Sequence, residues 1–314
     1  MKLLAAFLRL IRSVNLLFIA ITQLLFQYWI VAPVFNRAHA PLVMSWPILL
    51  VLVLASACIA AGGYIINDYF DLNIDRVNKP GKLVVDKVIK RRWAILWHLC
   101  LSGVGLILSA IVAWKTRAWW LILVNTGCVG ALWFYSTTFK KKLLSGNIII
   151  SLLTAWVILV IGFITHYTVL KNPDIYAGID ASKLLRRTFL YAGFAFMISL
   201  VREVVKDIED MPGDAQYGCR TMPIVWGVNV SKVFAATWLV VLMAALVIIL
   251  AYVLPFGWFW AIVYCVLLIV IPLMVILRKL FTATSTRDYH QLSTGLKLVM
   301  LTGILSMVFF KLYS

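Results

Sequence analysis

The chain has 314 residues, of which 63% are hydrophobic and 13% charged, and its mean hydropathy is +0.98. Soluble domains are about 45–50% apolar, so this composition excludes an ordinary soluble protein. The net charge of +17 does not indicate a nucleic-acid partner, because the basic residues lie between apolar blocks and not on one soluble face.

Apolar blocks of about 20 residues recur along the chain, and each is long enough to cross a hydrocarbon core of about 30 Å. Lipid forces the backbone of such blocks to bond internally, so we expect an all-α membrane protein with a single polytopic domain over residues 1–314. The first block follows three basic residues but is too long for a signal peptide, and we retain it as a span. The nine predicted spans are about 14–35, 46–67, 93–114, 118–138, 147–169, 187–206, 230–253, 256–277 and 293–312.

Most of the 29 Lys and Arg residues lie before span 1 or in the loops that follow spans 2, 4, 6 and 8. The positive-inside bias therefore predicts that the N-terminus and these loops are cytoplasmic and that the C-terminus lies outside. We expect a multi-pass protein of the cell (inner) membrane, with the bilayer as a partner. The five Cys and four His are scattered, so we assign them no metal role.

The first acidic segment follows span 2 and reads Asn67-Asp68-Tyr69-Phe70-Asp71-Leu72-Asn73-Ile74-Asp75. Its aspartates are three and four residues apart, which places them on one face of a helix. Asn67 borders that face and adds a neutral oxygen ligand. Carboxylates beside a span are costly to bury and usually functional.

The second acidic segment follows span 6. Glu203, Asp207, Asp210 and Asp214 repeat a four-three-four spacing, whereas Glu209 falls off this face and is interpreted as a solvated residue. We expect Pro212 and Gly213 to end the helix and to leave Asp214 on a loop.

Two acidic faces repel each other unless a multivalent cation lies between them. Oxygen ligands without His or Cys favour a hard cation, and Mg²⁺ combines a few carboxylates with substrate phosphates and water. A diphosphate also needs direct positive contacts, which Arg provides as a fork and Lys as a point charge. The residues predicted to make those contacts are Arg76, Lys79, Lys140, Arg202 and Lys206.

Together these segments resemble the UbiA superfamily of intramembrane prenyltransferases. The first acidic segment is similar to that family's first aspartate-rich motif, and residues 202–214 are similar to its second. Tyr135-Ser136 and the lysines after it resemble a third family segment. Glu203 at the first position of the second motif is similar to the digeranylgeranylglyceryl phosphate synthase branch.

The resemblance implies a nine-helix bundle around a central prenyl-diphosphate cavity, with Mg²⁺ as cofactor. It implies that Asn67 binds diphosphate together with the basic residues named above. The implied metal ligands are Asp68, Asp71, Asp75, Asp207, Asp210 and Asp214. The implied catalytic residues are Asp68, Asp71, Tyr135, Glu203 and Asp207.

The expected reaction transfers a prenyl group, in our interpretation geranylgeranyl, from a prenyl diphosphate to a lipophilic acceptor. We favour the hydroxyl of a prenylglycerol phosphate, which would give an ether lipid. An aromatic quinone precursor, 4-hydroxybenzoate or dihydroxynaphthoate, is the alternative. A membrane transporter is a remote alternative, because both acidic segments are expected at the cytoplasmic edge and not near the midplane.

Overall fold

The structure, a computed structural model, describes residues 2–78, 84–85 and 89–313. Within these residues the regular secondary structure is helical, apart from an isolated bridge between Val85 and Ile89. The described part of the chain holds nine helical segments long and apolar enough to cross a membrane, as predicted. They are α1 (Ser13–Arg37), α2 (Trp46–Phe70), α3 (Arg91–Thr116), α4 (Trp120–Thr137), α5 (Ser145–Lys171), α6 (Ala181–Gln216), α7 (Val228–Phe256), α8 (Phe259–Thr282) and α9 (Thr286–Leu312).

Short helices and irregular turns complete the secondary structure. An amphipathic helix, Lys2–Leu10, precedes α1, and the helix Leu72–Asn78 follows α2. A 3-10 turn, Phe139–Lys141, follows α4, and the helix Met222–Val225 lies between α6 and α7. π-helical turns interrupt α1 at Phe26–Val31 and α8 at Val266–Val270.

Local sequence explains where several helices begin and end. α2 starts with a Pro in its first turn, where the missing N–H costs no helical hydrogen bond. α9 starts with a capping box in which Ser285 and Asp288 satisfy each other's backbone N–H. α6 continues through Pro212 and ends near Gly218, which has φ +71°.

The expectation that Pro212 and Gly213 end this helix is therefore wrong. A proline removes one backbone hydrogen bond, to the carbonyl four residues earlier, and the helix continues past it to Gln216. Gly218 adopts the left-handed conformation that commonly follows a helix end.

The contacts of the chain cluster into two compact units. The first unit comprises Met1–Leu24, Phe35–Lys140 and Val157–Leu185, and the second comprises Leu25–Val34, Lys141–Trp156 and Arg186–Ser314. The prediction of a single domain stays a prediction.

In the first unit, α2 and α3 pack closely because small residues line their contact. A Cβ at Gly105 would lie 2.6 Å from Cγ1 of Ile59, and a Cβ at Gly62 would lie 2.7 Å from Oγ of Ser102. Small residues let membrane helices approach closely, which van der Waals packing requires when lipid supplies no hydrophobic drive. This contact fixes the end of α2, where the first acidic segment begins.

In the second unit, parts of α6, α7, α8 and α9 share an aliphatic core. Val201 and Val204 of α6 pack in one cluster with Leu239 of α7, Leu273 of α8 and Leu296 of α9, and all five are almost fully buried. The buried side of α6 therefore packs against α7, α8 and α9. This packing begins just before the second acidic segment and continues into it.

Candidate functional site

The first acidic segment lies where α2 passes into the helix Leu72–Asn78. The backbone N–H of Asp71 donates to the carbonyl of Asn67 at 2.9 Å, and that of Asp75 donates to the carbonyl of Asp71 at 2.8 Å. The helical path is thus almost continuous across the junction. It preserves the spacing that places Asn67, Asp68, Asp71 and Asp75 on one side of the helix.

Asn67 and Asp71 form a buried pair. Nδ2 of Asn67 donates to Oδ2 of Asp71 at 2.7 Å, and the two residues are 8% and 4% exposed. Oδ1 of Asn67 has no hydrogen-bond partner among the described residues. An unsatisfied buried acceptor costs about 1–3 kcal/mol, so this oxygen is a ready ligand for a cation or a donor.

Two cations from elsewhere in the first unit pair with two of the three aspartates. Nη2 of Arg12 contacts Oδ1 of Asp68 at 2.8 Å, and its guanidinium stacks over the ring of Tyr64 at 5.0 Å. Nζ of Lys140 forms an ion pair with Oδ2 of Asp71. Arg12 lies between the N-terminal helix and α1, and Lys140 lies in the 3-10 turn after α4.

The electrostatic setting keeps both cations charged. Burial lowers the pKa of Lys140, but the carboxylate of Asp71, with smaller effects from Tyr135 and Asp75, reverses this and leaves the pKa raised. Burial likewise lowers the pKa of Arg12, and Asp68 more than compensates. Each cation is therefore held in place by a carboxylate that is itself a predicted metal ligand.

The other residues that the sequence predicted for this part of the site lie in different environments. Arg76 is exposed on the short helix after α2, and Lys79 lies outside the described residues. Tyr135 is half-buried in the last turns of α4 and influences Lys140 electrostatically. Ser136 donates its hydroxyl to the carbonyl of Leu132 at 2.9 Å, so its hydrogen bond is made within its own helix.

The second acidic segment lies in the second unit, on the last turns of α6. Glu203, Asp207, Asp210 and Asp214 share one side of this helix through their four-three-four spacing. Asp214 is helical and only 3% exposed, so the prediction of a loop position is wrong for this residue. The helix continues past Pro212, which adds the last carboxylate to the same face.

Neighbouring polar groups bind two of these carboxylates. Nδ2 of Asn147, a buried residue in the first turn of α5, donates to Oδ2 of Asp207 at 2.8 Å. Nη1 of Arg202 contacts Oε1 of Glu203 at 2.9 Å, and Nζ of Lys206 lies 3.5 Å from Oε2 of the same residue. Nε of Arg202 is buried without a hydrogen-bond partner among the described residues and keeps a donor available.

Glu209 differs from the sequence-based interpretation. Its side chain is 11% exposed and accepts a hydrogen bond from Nδ1 of His290 at 2.8 Å. It is thus a covered partner of α9 and not a freely solvated residue, because α9 packs beside this part of α6 within the second unit.

The donor set fits a hard cation. Each acidic segment offers carboxylates, and the first adds Oδ1 of Asn67, which has no hydrogen-bond partner among the described residues. Among the described residues, no three His, Cys, Asp or Glu side chains converge closely enough to hold a metal ion. Such a set suits Mg²⁺, which is bound through one or two carboxylates and completed by substrate phosphates and water.

Sequence reasoning missed two residues of the site, Arg12 and Asn147. Arg12 was included in the topology-setting charge of the N-terminus, and only the fold brings it to Asp68. Asn147 carried a usable signal, since a buried amide at the start of an apolar span needs a partner.

Comparison with known proteins identifies the family of the chain. The model of the UbiA prenyltransferase family matches residues 13–301. The chain belongs to the UbiA prenyltransferase family. It is therefore an integral membrane prenyltransferase, as the resemblance implied.

Two relatives of the UbiA chain are named digeranylgeranylglyceryl phosphate synthase. The protein of Methanosphaera stadtmanae is 28% identical over 260 residues, covering 81% of this chain and 86% of its own length. That of Sulfurisphaera tokodaii is 31% identical over 252 residues, covering 77% and 81%. A solved UbiA homologue from Archaeoglobus fulgidus, bound to DMAPP and Mg²⁺, has a TM-score of 0.55 and 17% identity over 96% of this chain and 98% of that one, which supports the fold.

Proposed function

We propose that this UbiA protein transfers a geranylgeranyl group from its diphosphate to the hydroxyl of a prenylglycerol phosphate, in a magnesium-dependent reaction that forms an ether lipid. The observation that carries the proposal is the buried pair of Asn67 and Asp71, with Lys140 beside it. The pair offers oxygen atoms that can bind a metal ion, and the lysine offers a positive charge that can bind a phosphate. The names of the relatives support the acceptor.

We assign the metal ligands by their chemistry. Asp68, Asp71 and Asp75 with Asn67 are the proposed ligand set of one magnesium ion, and Asp207, Asp210 and Asp214 are that of another. Each ion would take one or two carboxylates of its set at a time, together with substrate oxygens. When bound, Mg²⁺ would neutralise the diphosphate as it leaves. Neither set of carboxylates supplies enough ligands for the ion without oxygens from the substrate. Mg²⁺ favours such a mixture of a few carboxylates with substrate phosphates and water.

The basic residues would hold the diphosphate directly. Lys140 and Arg12 now contact Asp71 and Asp68, and a cation bound by those carboxylates would release both side chains toward phosphate oxygens. Arg202 and Lys206, which both contact Glu203, would also bind phosphate oxygens. The release of Lys140 and Arg12 would couple metal binding to substrate binding.

The transfer needs one bond broken and one formed. The bond between the allylic carbon and the diphosphate oxygen breaks, and its electron pair leaves with the diphosphate. The acceptor oxygen bonds to the allylic carbon and loses its proton. We assign Glu203 or Asp207 as the carboxylate that accepts this proton. Aromatic faces can stabilise the developing allylic cation by about 0.5–2 kcal/mol each, and an apolar bundle excludes water from it.

We place both acidic segments at the cytoplasmic surface of the cell membrane, with the N-terminus inside and the C-terminus outside. The basic loops after α2, α4, α6 and α8 support this orientation. A water-soluble diphosphate headgroup would then meet the site from the cytoplasm while its prenyl chain enters the apolar bundle.

A donor-by-acceptor panel with the purified protein tests the reaction. Geranylgeranyl diphosphate is combined with prenylglycerol phosphate, 4-hydroxybenzoate or dihydroxynaphthoate, with and without Mg²⁺, and the products are read by mass spectrometry. We expect an ether product that requires Mg²⁺. A product with an aromatic acceptor and none with prenylglycerol phosphate would overturn the acceptor, and no transfer to any acceptor would overturn the reaction.

A further inference from the structure

An open groove runs along the second unit between α8 and α9. Its volume is about 670 Å³, and most of its lining is aliphatic. Leu268, Ile271 and Val275 form one wall, and Leu292, Leu298 and Val299 form the other. The groove is part of neither acidic segment, and its occupant is independent of the proposed reaction.

Hydrogen bonds fix the groove at both ends. At one end Thr302 donates its hydroxyl to the carbonyl of Leu268 at 2.9 Å. Pro272 has no N–H, so it cannot make the α-helical bond to that carbonyl four residues before it. At the other end the carbonyl of Ala283 accepts from Nζ of the buried Lys232 at 2.6 Å and from the hydroxyl of Tyr289 at 3.1 Å. The two helices are thus tied while the space between them stays open.

A glycine in the floor of the groove leaves space that a side chain would otherwise fill. Gly295 of α9 presents only its backbone, and a Cβ built there would lie 3.4 Å from Cδ1 of Ile276. Leu298, one turn further along α9, is 60% exposed. The groove is therefore an apolar slot open to the surroundings of the protein, and in a membrane protein those surroundings are lipid chains.

One end of the slot is polar and holds one cation. Lys279, Thr282, Asp288 and Gln291 line it. The carboxylate of Asp288 faces the helix start, where Oδ2 accepts from the backbone N–H of Thr284 at 3.1 Å and of Ser285 at 2.9 Å. Lys279 is exposed and forms no ion pair with any described residue. Its ammonium group is thus available to an anion.

The length of the slot matches one leaflet. Leu268 and Lys279 are eleven residues apart on α8, which corresponds to a rise of about 16 Å, close to half of a hydrocarbon core about 30 Å thick. We propose that this groove binds one anionic phospholipid of the surrounding bilayer, with a chain along the slot and the headgroup on Lys279.

A second copy of the chain fits this groove less well. A two-fold axis along the membrane normal brings the same surface of both copies together. Arg278, Lys279 and Arg287 of one copy would then meet the same three cations of the other, and like charges at an interface are repelled. An anionic headgroup instead complements Lys279, the cation that lines the groove.

Lipid retention by the full-length protein tests the proposal without reference to catalysis. The protein is purified in a mild non-ionic detergent, supplied with equal amounts of phosphatidylglycerol and phosphatidylcholine of identical chains, and examined by native mass spectrometry. We expect one phosphatidylglycerol to be retained at least fivefold above phosphatidylcholine. Lys279→Glu should reduce that retention at least fivefold, Lys279→Gln should reduce it less, and Leu298→Trp should reduce retention of both lipids.

The control is Arg278→Glu, which makes the same charge change one residue away, at an exposed position that does not line the groove. It should retain phosphatidylglycerol as the unmodified protein does. Equal retention of both lipids, an unchanged Lys279→Glu variant, an equal loss in Arg278→Glu, or a dimer that Leu298→Trp dissociates would each overturn the proposal. All variants are first required to elute as a single peak in size-exclusion chromatography.

Discussion

Asn67 donates its amide to the carboxylate of Asp71 across one helical turn, while its carbonyl oxygen is buried without a partner. The amide thereby orients two oxygens, its own Oδ1 and the remaining carboxylate oxygen of Asp71, at the end of α2. The pair is held before any cation binds, which reduces the ordering needed at that moment.

Replacing Asn67 with Ala should weaken magnesium binding. The change removes a ligand oxygen and the bond that orients Asp71, and loss of such orienting groups costs about 10–100-fold in metal affinity or activity. We expect the magnesium concentration for half-maximal transfer to rise by that factor, as measured by product formation across a magnesium titration. Asn73→Ala, on the exposed side of the following short helix, is the matched control. An equal effect of both variants would contradict this role.

The acidic segments should be separately essential. Asp68→Ala and Asp207→Ala each remove one carboxylate from a proposed magnesium site. We therefore expect each to lower kcat by at least about 10²–10³-fold, the loss typical of a group that stabilises developing charge. Insertion should be retained, as judged by membrane fractionation and size-exclusion chromatography. The rate is measured by mass spectrometry of the prenylated product. Wild-type rates from either purified variant would reject the metal assignment.

Lys140→Ala should raise KM for the prenyl diphosphate, because the variant loses a phosphate contact and leaves Asp71 without its cation. We expect kcat/KM to fall by about 10- to 10²-fold, the size of a charge-assisted contact of about 1.5–3 kcal/mol. Lys140→Arg should restore part of it. Lys90→Ala, an exposed lysine at the start of α3, should behave like the unmodified protein.

The charge state of Lys140 also predicts its pH dependence. Because its pKa is raised above the ordinary lysine value of about 10.4, its positive charge is present throughout neutral pH and is lost only as pH rises through the higher, folded-state value. The ratio of kcat/KM between the unmodified protein and Lys140→Ala should therefore stay constant from about pH 6 to pH 9. A ratio that falls toward one within this interval would show that Lys140 titrates there.

The contact between α2 and α3 should tolerate no side chain at Gly105. A Cβ there would lie 2.6 Å from Cγ1 of Ile59 and 3.1 Å from the carbonyl oxygen of Ala55, which is backbone and cannot rotate away. We expect Gly105→Ala to destabilise the protein by about 1–3 kcal/mol, the usual cost of overpacking. The control is Gly103→Ala, whose Cβ would meet nothing within 4 Å. It should be neutral or slightly stabilising, since Ala favours a helix.

Thermal unfolding in detergent, followed by circular dichroism, compares the two glycine variants. Only Gly105→Ala should melt at a lower temperature than the unmodified protein. Equal melting temperatures for the two variants would mean that α2 and α3 are not packed as closely as the structure indicates.

The sequence by itself determined the spans and the helical spacing of the first acidic segment. Nine apolar blocks predicted nine spans because a lipid environment leaves the backbone of a 20-residue segment no other way to satisfy its hydrogen bonds. The spacing of Asp68, Asp71 and Asp75 likewise placed them on one helix face, because that depends only on the helical repeat. Both predictions needed only information from neighbouring residues: the length of an apolar segment for the spans and the helical repeat for the aspartates.

Only the tertiary structure decided which distant groups meet the carboxylates. Arg12 and Asp68 are 56 residues apart, and Asn147 and Asp207 are 60 apart, so no local pattern could pair them. The helix through Pro212 to Asp214 was also mispredicted from sequence, because the local preference of Pro and Gly favoured a break there. Long-range contacts and helix packing depend on the whole chain, and for that reason they had to be read from the fold.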